Sequence, residues 1–256
     1  MPRDDNGDVL LQVTDLHVAY GKAEVVHGVS FSVRAGEFAV VLGRNGAGKS
    51  TILHAISGLI PKKQGTVVLA GVDVTRSKPR EIVRGGAIQV LEGHRVFTSL
   101  SVEDNLLIGT YARHPHGDRS KLDRIYEMFP EIAEKRHHSA TRLSGGQQQI
   151  LAVAQGLIGD PKLLILDEPS AGLAPVVIDR ILNVAAAQCR LGMAVLLVEQ
   201  LVDKALRHAD FCYVVETGRI ALASTPAELR GSDALKHIYL GSRTAGSEAP
   251  KPDARA

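Results

Sequence analysis

The chain has 256 residues, 45% of them hydrophobic, a composition that suits one large globular domain or two modest ones with a sizeable buried core. Its formal net charge of +2 gives no strong basic field, so we expect no nucleic acid partner. The N-terminus is polar, no stretch approaches the roughly 20 apolar residues that span a bilayer, and the cysteines fit no metal spacing, which predicts a soluble cytosolic protein.

The N-terminal part of the chain consists of short apolar runs separated by turn residues, which predicts β-strands. Residues 1–8 are polar and predict a disordered tail. Thr14 and Asp15 separate the first two predicted strands, and Ala70 and Gly71 turn a hairpin. The predicted strands cover residues 9–13, 16–20, 25–33, 38–42 and the hairpin over 65–74. Antiparallel strands are therefore expected beside the segment that carries the first motif.

That motif is a phosphate-binding pattern. The sequence Gly-Arg-Asn-Gly-Ala-Gly-Lys-Ser-Thr at residues 43–51 fits G-x-x-x-x-G-K-S/T, with a strand predicted before it and a helix-like run after it. Small residues let backbone N–H groups converge on phosphate oxygens at a helix N-terminus, whose partial positive charge favours an anion. We predict that Lys49 binds the β- and γ-phosphates of a nucleotide, that Ser50 holds Mg²⁺ and that Thr51 binds the α-phosphate. The loop residues predicted to bind the nucleotide are Gly43, Asn45, Gly46, Ala47, Gly48, Lys49, Ser50 and Thr51.

Residues 95 to about 160 are predicted to form a helical insert, because apolar positions recur there at helical spacing. A capping pattern at Ser101 begins a first helix that extends to about Tyr111. A second helix is predicted over residues 120–128. A third follows Leu-Ser-Gly-Gly-Gln at residues 143–147 and continues to Ile158.

The rest of the chain alternates strands and helices. Residues 162–166 and 194–198 are short apolar runs typical of strands buried on both faces, and a helix is predicted between them over about residues 175–190, which implies a parallel sheet. A terminal hairpin, a last helix to residue 241 and a disordered tail over 242–256 are predicted to follow. The predicted fold is therefore one α/β domain over residues 9–241, with a parallel-sheet core, an antiparallel β flank and the helical insert.

The order of the motifs resembles that of the ATP-binding-cassette (ABC) ATPases, which are P-loop NTPases. Leu-Ser-Gly-Gly-Gln stands about a hundred residues after the phosphate loop and shortly before Leu-Leu-Ile-Leu-Asp-Glu-Pro-Ser at residues 163–170. The resemblance implies that two chains sandwich two ATP molecules, and that residues 170–174 couple the two sites across the dimer. The residues implied to face the γ-phosphate held by the opposite subunit are Ser144, Gly145, Gly146 and Gln147.

Three further residues are assigned roles with this resemblance. Asp167 ends a buried apolar strand, where a carboxylate needs a partner, and Mg²⁺ supplies one. Glu168 is predicted to polarise the attacking water, since phosphoryl transfer needs mainly positioning and charge neutralisation. The resemblance also implies that Tyr20 stacks on adenine.

Two positions depart from the pattern of most ABC ATPases. Where glutamine is usual in the loop before the helical insert, this chain has Glu92, with Gln89 as the alternative match. Where histidine is usual after the later strand, it has Gln200, which can donate a hydrogen bond to the γ-phosphate but carries no imidazolium charge. Glu92 is predicted to contact the nucleotide and its metal, and Gln200 to act in catalysis. These departures resemble the F-type ATPase of branched-chain amino acid importers, whose close relatives serve urea and short amides.

The function that this resemblance implies is MgATP hydrolysis by a peripheral subunit at the cytoplasmic face of the cell membrane. The implied partners are two integral membrane permeases, a second ABC ATPase of the same or a sister sequence, and indirectly a periplasmic or extracellular solute-binding protein. The alternatives are the ATPase of a urea or amide importer, the ATPase of an exporter, and a soluble ATP switch on ribosomes or DNA. The single cassette and the lack of sustained heptads disfavour the switch.

Overall fold

The computed structural model describes residues 8–93, 95–112, 114 and 116–231. The N-terminal tail predicted over residues 1–8 lies outside the described residues apart from Asp8, whose backbone oxygen accepts a hydrogen bond from the Ala35 N–H. The predicted C-terminal tail and residues 232–241 of the predicted last helix also lie outside them. Among the described residues, no helix combines the length and the apolar character that a bilayer-spanning segment requires.

A four-stranded antiparallel sheet forms the predicted β flank, in the order β2-β1-β4-β5. Its strands are β1 (Val9–Tyr20), β2 (Ala23–Arg34), β4 (Gln64–Leu69) and β5 (Val72–Asp73). The prediction of two strands within residues 9–20 is wrong, because β1 runs through without a break. Asp15 has a φ of 50° and the pairing register shifts between Val13 and Leu16, so the polar residues form a bulge within one strand.

A six-stranded sheet forms the core, in the order β10-β9-β3-β8-β7-β6. Its strands are β3 (Phe38–Leu42), β6 (Ala87–Val90), β7 (Leu163–Asp167), β8 (Ala194–Glu199), β9 (Phe211–Glu216) and β10 (Arg219–Ser224). All pairs except β9 with β10 are parallel, which confirms the predicted parallel-sheet core. Strand β6 was not predicted, because only two of its four residues are buried and the apolar run is short.

Helices cover both faces of this sheet and form the insert. They are α1 (Lys49–Ile56), α2 (Pro79–Gly85), α3 (Val102–Ile108), α4 (Leu122–Met128), α5 (Pro130–Ala133), α6 (Gly145–Leu157), α7 (Pro175–Arg190), α8 (Val202–Ala205) and α9 (Pro226–Arg230). Helices α3 to α6 lie between β6 and β7, as predicted for the insert. Helix α3 ends before Gly109 rather than near Tyr111, and a Cβ at Gly109 would lie 2.1 Å from the Gln155 oxygen, so glycine allows α3 and α6 to approach.

The core consists of two apolar clusters, one on each face of the six-stranded sheet. Side chains of β3 alternate between them, since Phe38, Val40 and Leu42 belong to one cluster and Ala39 and Val41 to the other. A slip of one residue would move every side chain of such a strand into the opposite apolar cluster, where its shape does not match the packing. The carboxyl ends of β3, β7 and β8 are therefore held in fixed positions, and the polar residues that follow them meet at one edge of the sheet.

Candidate functional site

A cavity of about 400 Å³ lies at the carboxyl ends of these parallel strands, where α/β sheets generally bind ligands. The phosphate loop after β3, the acidic turn after β7 and the segment after β8 all contribute to it. Described residues that line the cavity are Val25, Asn45, Gly46, Gly48, Lys49, Ser50, Thr51, Glu92, Glu168 and Gln200. Most of the residues predicted from the motifs around one bound nucleotide are thus brought together.

The phosphate loop takes a shape that its glycines permit. Gly46 and Gly48 have φ angles of 78° and 101°, in the left-handed region that other residues avoid. Gly43 lacks space for a side chain, because a Cβ there would lie 2.4 Å from the backbone oxygen of Val215. Gly48 begins helix α1 directly after the loop, so the first N–H groups of the helix are available to an anion.

Lys49 places a positive charge in the cavity. Its side chain is buried, and Nζ donates hydrogen bonds to the backbone oxygens of Gly43 and Arg44, at 2.9 and 3.1 Å. Nζ also lies 3.3 Å from Oε1 of Glu168. Since a buried ammonium group needs anionic or carbonyl acceptors, these contacts hold the lysine at the position where a phosphate can reach it.

Asp167 and Ser50 form the oxygen-rich corner of the site. Asp167 is buried, and its Oδ1 accepts a hydrogen bond of 2.9 Å from the Ser50 hydroxyl. Burial raises the pKa of the Asp167 carboxyl, because its charged form loses hydration. The Nε2 atom of His54 lies 3.6 Å from Oδ2. A hydroxyl beside a buried carboxylate is the ligand set that Mg²⁺ prefers, so these residues fit that ion.

Glu168 is held by both its backbone and its side chain. Its φ of 43° is unusual for a residue other than glycine and costs about 1–3 kcal/mol. Its N–H donates to the Val198 oxygen at 3.0 Å, which ties the turn after β7 to β8. The side-chain oxygens face two partners, since Oε1 faces Lys49 and Oε2 accepts a hydrogen bond from Nε2 of Gln200. The carboxylate therefore points into the cavity in a fixed orientation.

The structure separates the two alternatives for the position before the helical insert. Glu92 lines the cavity with the phosphate loop. Gln89 lies on β6 and lines a different cavity, beside Arg95 and Gly156. The geometry therefore favours Glu92 as the residue near the nucleotide.

Tyr20 and residues 144–147 of the Leu-Ser-Gly-Gly-Gln segment do not line the cavity, unlike most of the other predicted site residues. Tyr20 ends β1 with 52% of its surface exposed, and it is not among the described residues that line the cavity. Ser144 begins α6, where its hydroxyl accepts from the Gln147 N–H and its own N–H donates to Oε1 of Gln147. None of residues 144–147 is among the described residues lining the cavity. This segment therefore does not contribute to the cavity of its own chain.

Two residues at the site were missed by sequence reasoning. Val25 lines the cavity from β2, and nothing in its apolar character distinguished it from a core residue. Glu199 is 1% exposed and accepts hydrogen bonds from the turn after β7 and the segment after β8. A signal for Glu199 existed, since an acid that ends an apolar run is costly to bury without donors.

The chain resembles known proteins in both its sequence and its fold. The family model described as "ABC transporter" matches residues 26–171. The high-affinity branched-chain amino acid transport ATP-binding protein BraG of Pseudomonas aeruginosa is 38% identical over 91% of this chain and 100% of BraG. A probable branched-chain amino acid transport ATP-binding protein, LivF of Archaeoglobus fulgidus, is 32% identical over 91% and 99%. The lipopolysaccharide export system ATP-binding protein LptB of Haemophilus influenzae is 30% identical over 91% and 97%.

The fold agrees with these sequence relationships. A crystal structure of a nucleotide-free ATP-binding cassette from an ABC transporter superposes with a TM-score of 0.81 at 25% identity, covering 91% of this chain and 99% of that one. The match extends over both sheets and the helical insert, because it leaves out only a small part of either chain. This chain therefore belongs to the ABC transporter family and is an ATP-hydrolysing subunit of a transporter.

Proposed function

We propose that this chain is the peripheral ATPase of a branched-chain amino acid importer and acts at the cytoplasmic face of the membrane. The observation that carries the proposal is the 38% identity to BraG along the full length of that protein. Glu92 and Gln200 support it, since these departures from most ABC ATPases resemble the F-type subunit and both residues line the cavity. The importing permeases are integral membrane proteins, and a solute-binding protein acts outside the membrane.

The residues of the cavity divide the work of phosphoryl transfer. Lys49 and the N–H groups at the start of α1 bind the phosphates, and their positive charge stabilises the charge that develops on the transferred group. Ser50 and Asp167 would hold Mg²⁺, which would neutralise phosphate charge, and Glu92 lines the cavity beside them. Glu168 is the general base: its carboxylate accepts a hydrogen bond, and then a proton, from the attacking water. Gln200 orients this carboxylate by donating a hydrogen bond to it.

A second chain completes each site in this proposal. Ser144 and Gly145 are exposed at the start of α6, Gly146 and Gln147 are half-buried beside them, and none of the four lines the cavity. This segment is therefore available to contact a nucleotide bound by another subunit. Ser144 offers a hydroxyl, and the helix N-terminus offers N–H groups and a partial positive charge. ATP then joins two subunits, which are either two copies of this chain or this chain and a sister ATPase. Tyr20 is exposed at the end of β1, where it can stack on an adenine that extends beyond the phosphate cavity.

Two other transport systems compete with this proposal. The 30% identity to LptB raises lipopolysaccharide export as a second candidate. Urea or amide import is a third, because the departures at Glu92 and Gln200 mark the group of importers and not its solute. The solute is chosen by the permeases and the binding protein, so the cavity of this chain does not distinguish one importer solute from another.

Capture of the tagged chain from gently solubilised membranes of its host tests the proposal, with mass spectrometry of the proteins that accompany it. We expect two hydrophobic permeases and a second ABC ATPase, absent from a parallel capture out of the soluble fraction. Recovery of lipopolysaccharide-export components would replace the importer with an exporter. Ribosomal or DNA-bound proteins without any permease would overturn the assignment to transport.

A further inference from the structure

One buried carboxylate joins two loops of the site, although no motif assigns it a role. Glu199 is the last residue of β8, and its side chain is almost completely buried. Its Oε1 accepts a hydrogen bond of 3.1 Å from the Ser170 N–H. Its Oε2 accepts from the Ser170 hydroxyl at 2.8 Å and from the N–H groups of Gln200 and Leu201 at 2.9 and 3.2 Å. Both oxygens of the carboxylate are thus used, and together they accept hydrogen bonds from two separate segments.

These contacts depend on the negative charge. A carboxylate has acceptors on both oxygens, and its hydrogen bonds to N–H and O–H groups are stronger than those of a neutral acceptor. A glutamine side chain has the same shape but turns one oxygen into an NH₂ group. If the NH₂ group takes the place of Oε1, it faces the N–H of Ser170. If it takes the place of Oε2, it faces the Ser170 hydroxyl and the N–H groups of the next segment. Because a buried donor facing a donor is unfavourable, glutamine would lose either the Ser170 N–H contact at Oε1 or the three contacts at Oε2, and would hold the two segments less firmly.

The two segments joined by Glu199 carry the residues that act on the nucleotide. Ser170 is two residues beyond Glu168 in the turn after β7, and Gln200 follows Glu199 directly. Gln200 donates to the Glu168 carboxylate, so the chain of contacts from Glu168 through Gln200 and Glu199 to Ser170 forms a closed ring. Glu168 has the strained backbone already described, which persists only where surrounding contacts fix it.

We propose that Glu199 is a positioning residue for ATP hydrolysis. Its carboxylate fixes the turn that carries Glu168 against the segment that carries Gln200, and so sets the orientation of both side chains toward the γ-phosphate. The inference rests on the proposed role of Glu168 as the general base. Glu199 itself does not line the cavity. It acts only through Ser170 and the segment that begins at Gln200.

The test compares Glu199→Gln with wild type under saturating Mg²⁺. We expect kcat for ATP hydrolysis to fall at least about tenfold, because small displacements of catalytic groups are costly, while the Kd for a fluorescent ATP analogue stays within about twofold. The matched control is Glu37→Gln, which also changes a buried glutamate that accepts a backbone N–H, but at the opposite end of β3 from the cavity. This control is expected to leave kcat unchanged.

Ser170→Ala removes the partner of Glu199 in the same ring of contacts. It provides a second test in case the Glu199→Gln variant does not fold. It removes the 2.8 Å hydroxyl donor, and we expect a smaller fall in kcat, again with nucleotide affinity retained. The double variant should lose no more activity than Glu199→Gln alone, since both changes break one unit. Losses that multiply in the double variant would contradict action through Ser170.

Two results would overturn the inference, and they differ from failure of the proposed base. A folded Glu199→Gln variant with wild-type kcat would show that the ring does not position Glu168. Equal losses in kcat and in nucleotide affinity would indicate a general structural defect. Near-normal hydrolysis by Glu168→Gln would instead remove the base itself, whatever the result at Glu199.

Discussion

Glu168 shares its carboxylate between Lys49, at 3.3 Å, and the amide of Gln200. Glu168→Gln keeps the size of the side chain but removes its capacity to accept a proton. We expect this variant to bind MgATP with near-normal affinity and to hydrolyse it at least about 100-fold more slowly, the usual contribution of a general base. Single-turnover hydrolysis measures this, with the exposed Glu127→Gln on α4 as the control. Near-normal turnover would exclude Glu168 as the base.

Variants at Gln200 test whether its side-chain amide takes part in ATP hydrolysis, as the more usual histidine is expected to do. Gln200→Ala removes the hydrogen bond to Glu168, and we expect kcat to fall about tenfold because the carboxylate is less well oriented. Gln200→His should preserve or raise hydrolysis, since an imidazole N–H can donate to the same carboxylate or to the γ-phosphate. Steady-state rates at saturating ATP compare the two variants with wild type. Unchanged rates in both would discard a role for this side chain.

Asp167 links the metal site to stability. Burial raises the pKa of its carboxyl above the ordinary 3.8. The folded state therefore binds the Asp167 proton more tightly than the unfolded state does. Protonation of Asp167 stabilises the fold fully below pH 3.8, and this stabilisation is lost as the pH rises through the pKa of the folded state. In EDTA at pH 7, we expect Asp167→Asn to have a higher melting temperature than wild type, and the difference to shrink toward pH 4.

The same two proteins are also compared in excess Mg²⁺, which tests whether Asp167 is a metal ligand. Mg²⁺ should raise the melting temperature of wild type, because it binds the folded site, and should have little effect on Asp167→Asn. Thermal unfolding followed by circular dichroism records both effects. A variant that melts below wild type at pH 7 in EDTA would contradict the account of a costly buried charge. An equal Mg²⁺ response in both proteins would exclude Asp167 as a ligand.

At the scale of secondary structure elements, the phosphate loop depends on its close approach to β9. A Cβ at Gly43 would lie 2.4 Å from the Val215 oxygen, and backbone atoms cannot move aside easily. We expect Gly43→Ala to lower the free energy of unfolding by about 1–3 kcal/mol, as overpacking usually does, and to weaken nucleotide binding. Urea denaturation measures this, with Gly231→Ala as the control because its nearest neighbour would be 3.6 Å away. Equal stability of the two variants would show that the loop can shift freely.

The elements that the sequence predicted well are those with strong periodic signals. Buried strands such as β3 and β7 were found because uninterrupted apolar runs ended at turn residues. Helix α7 was placed with its observed bounds, between Pro175 and Arg190. The bulge at Asp15 was read as a break because polar residues in a strand look like a turn, and only pairing with β2 and β4 keeps that strand continuous. Strand β6 and helices α5 and α8 have four residues each and are too short to produce a periodic pattern.

At the scale of the whole molecule, motifs far apart in sequence meet because the parallel strands end at one edge. Residues 43–51 and 167–168 could be assigned to one site for that reason, and residue 200 was added through the family resemblance. Glu168, Gln200 and most of the loop line one cavity. The choice between Glu92 and Gln89 needed the structure, since either fits the motif by spacing alone. Glu199 also needed it, because its partners in the turn after β7 lie 29 residues away in sequence.

We propose that the whole molecule works as one subunit of a membrane assembly that imports branched-chain amino acids. Uptake of radiolabelled leucine by host cells lacking this chain tests that claim most directly. We predict that the wild-type chain restores uptake, that Lys49→Ala and Glu168→Gln leave it below about a tenth of that level, and that urea uptake is unaffected throughout. Leucine uptake that survives loss of the chain, while urea uptake or lipopolysaccharide export fails, would contradict the account.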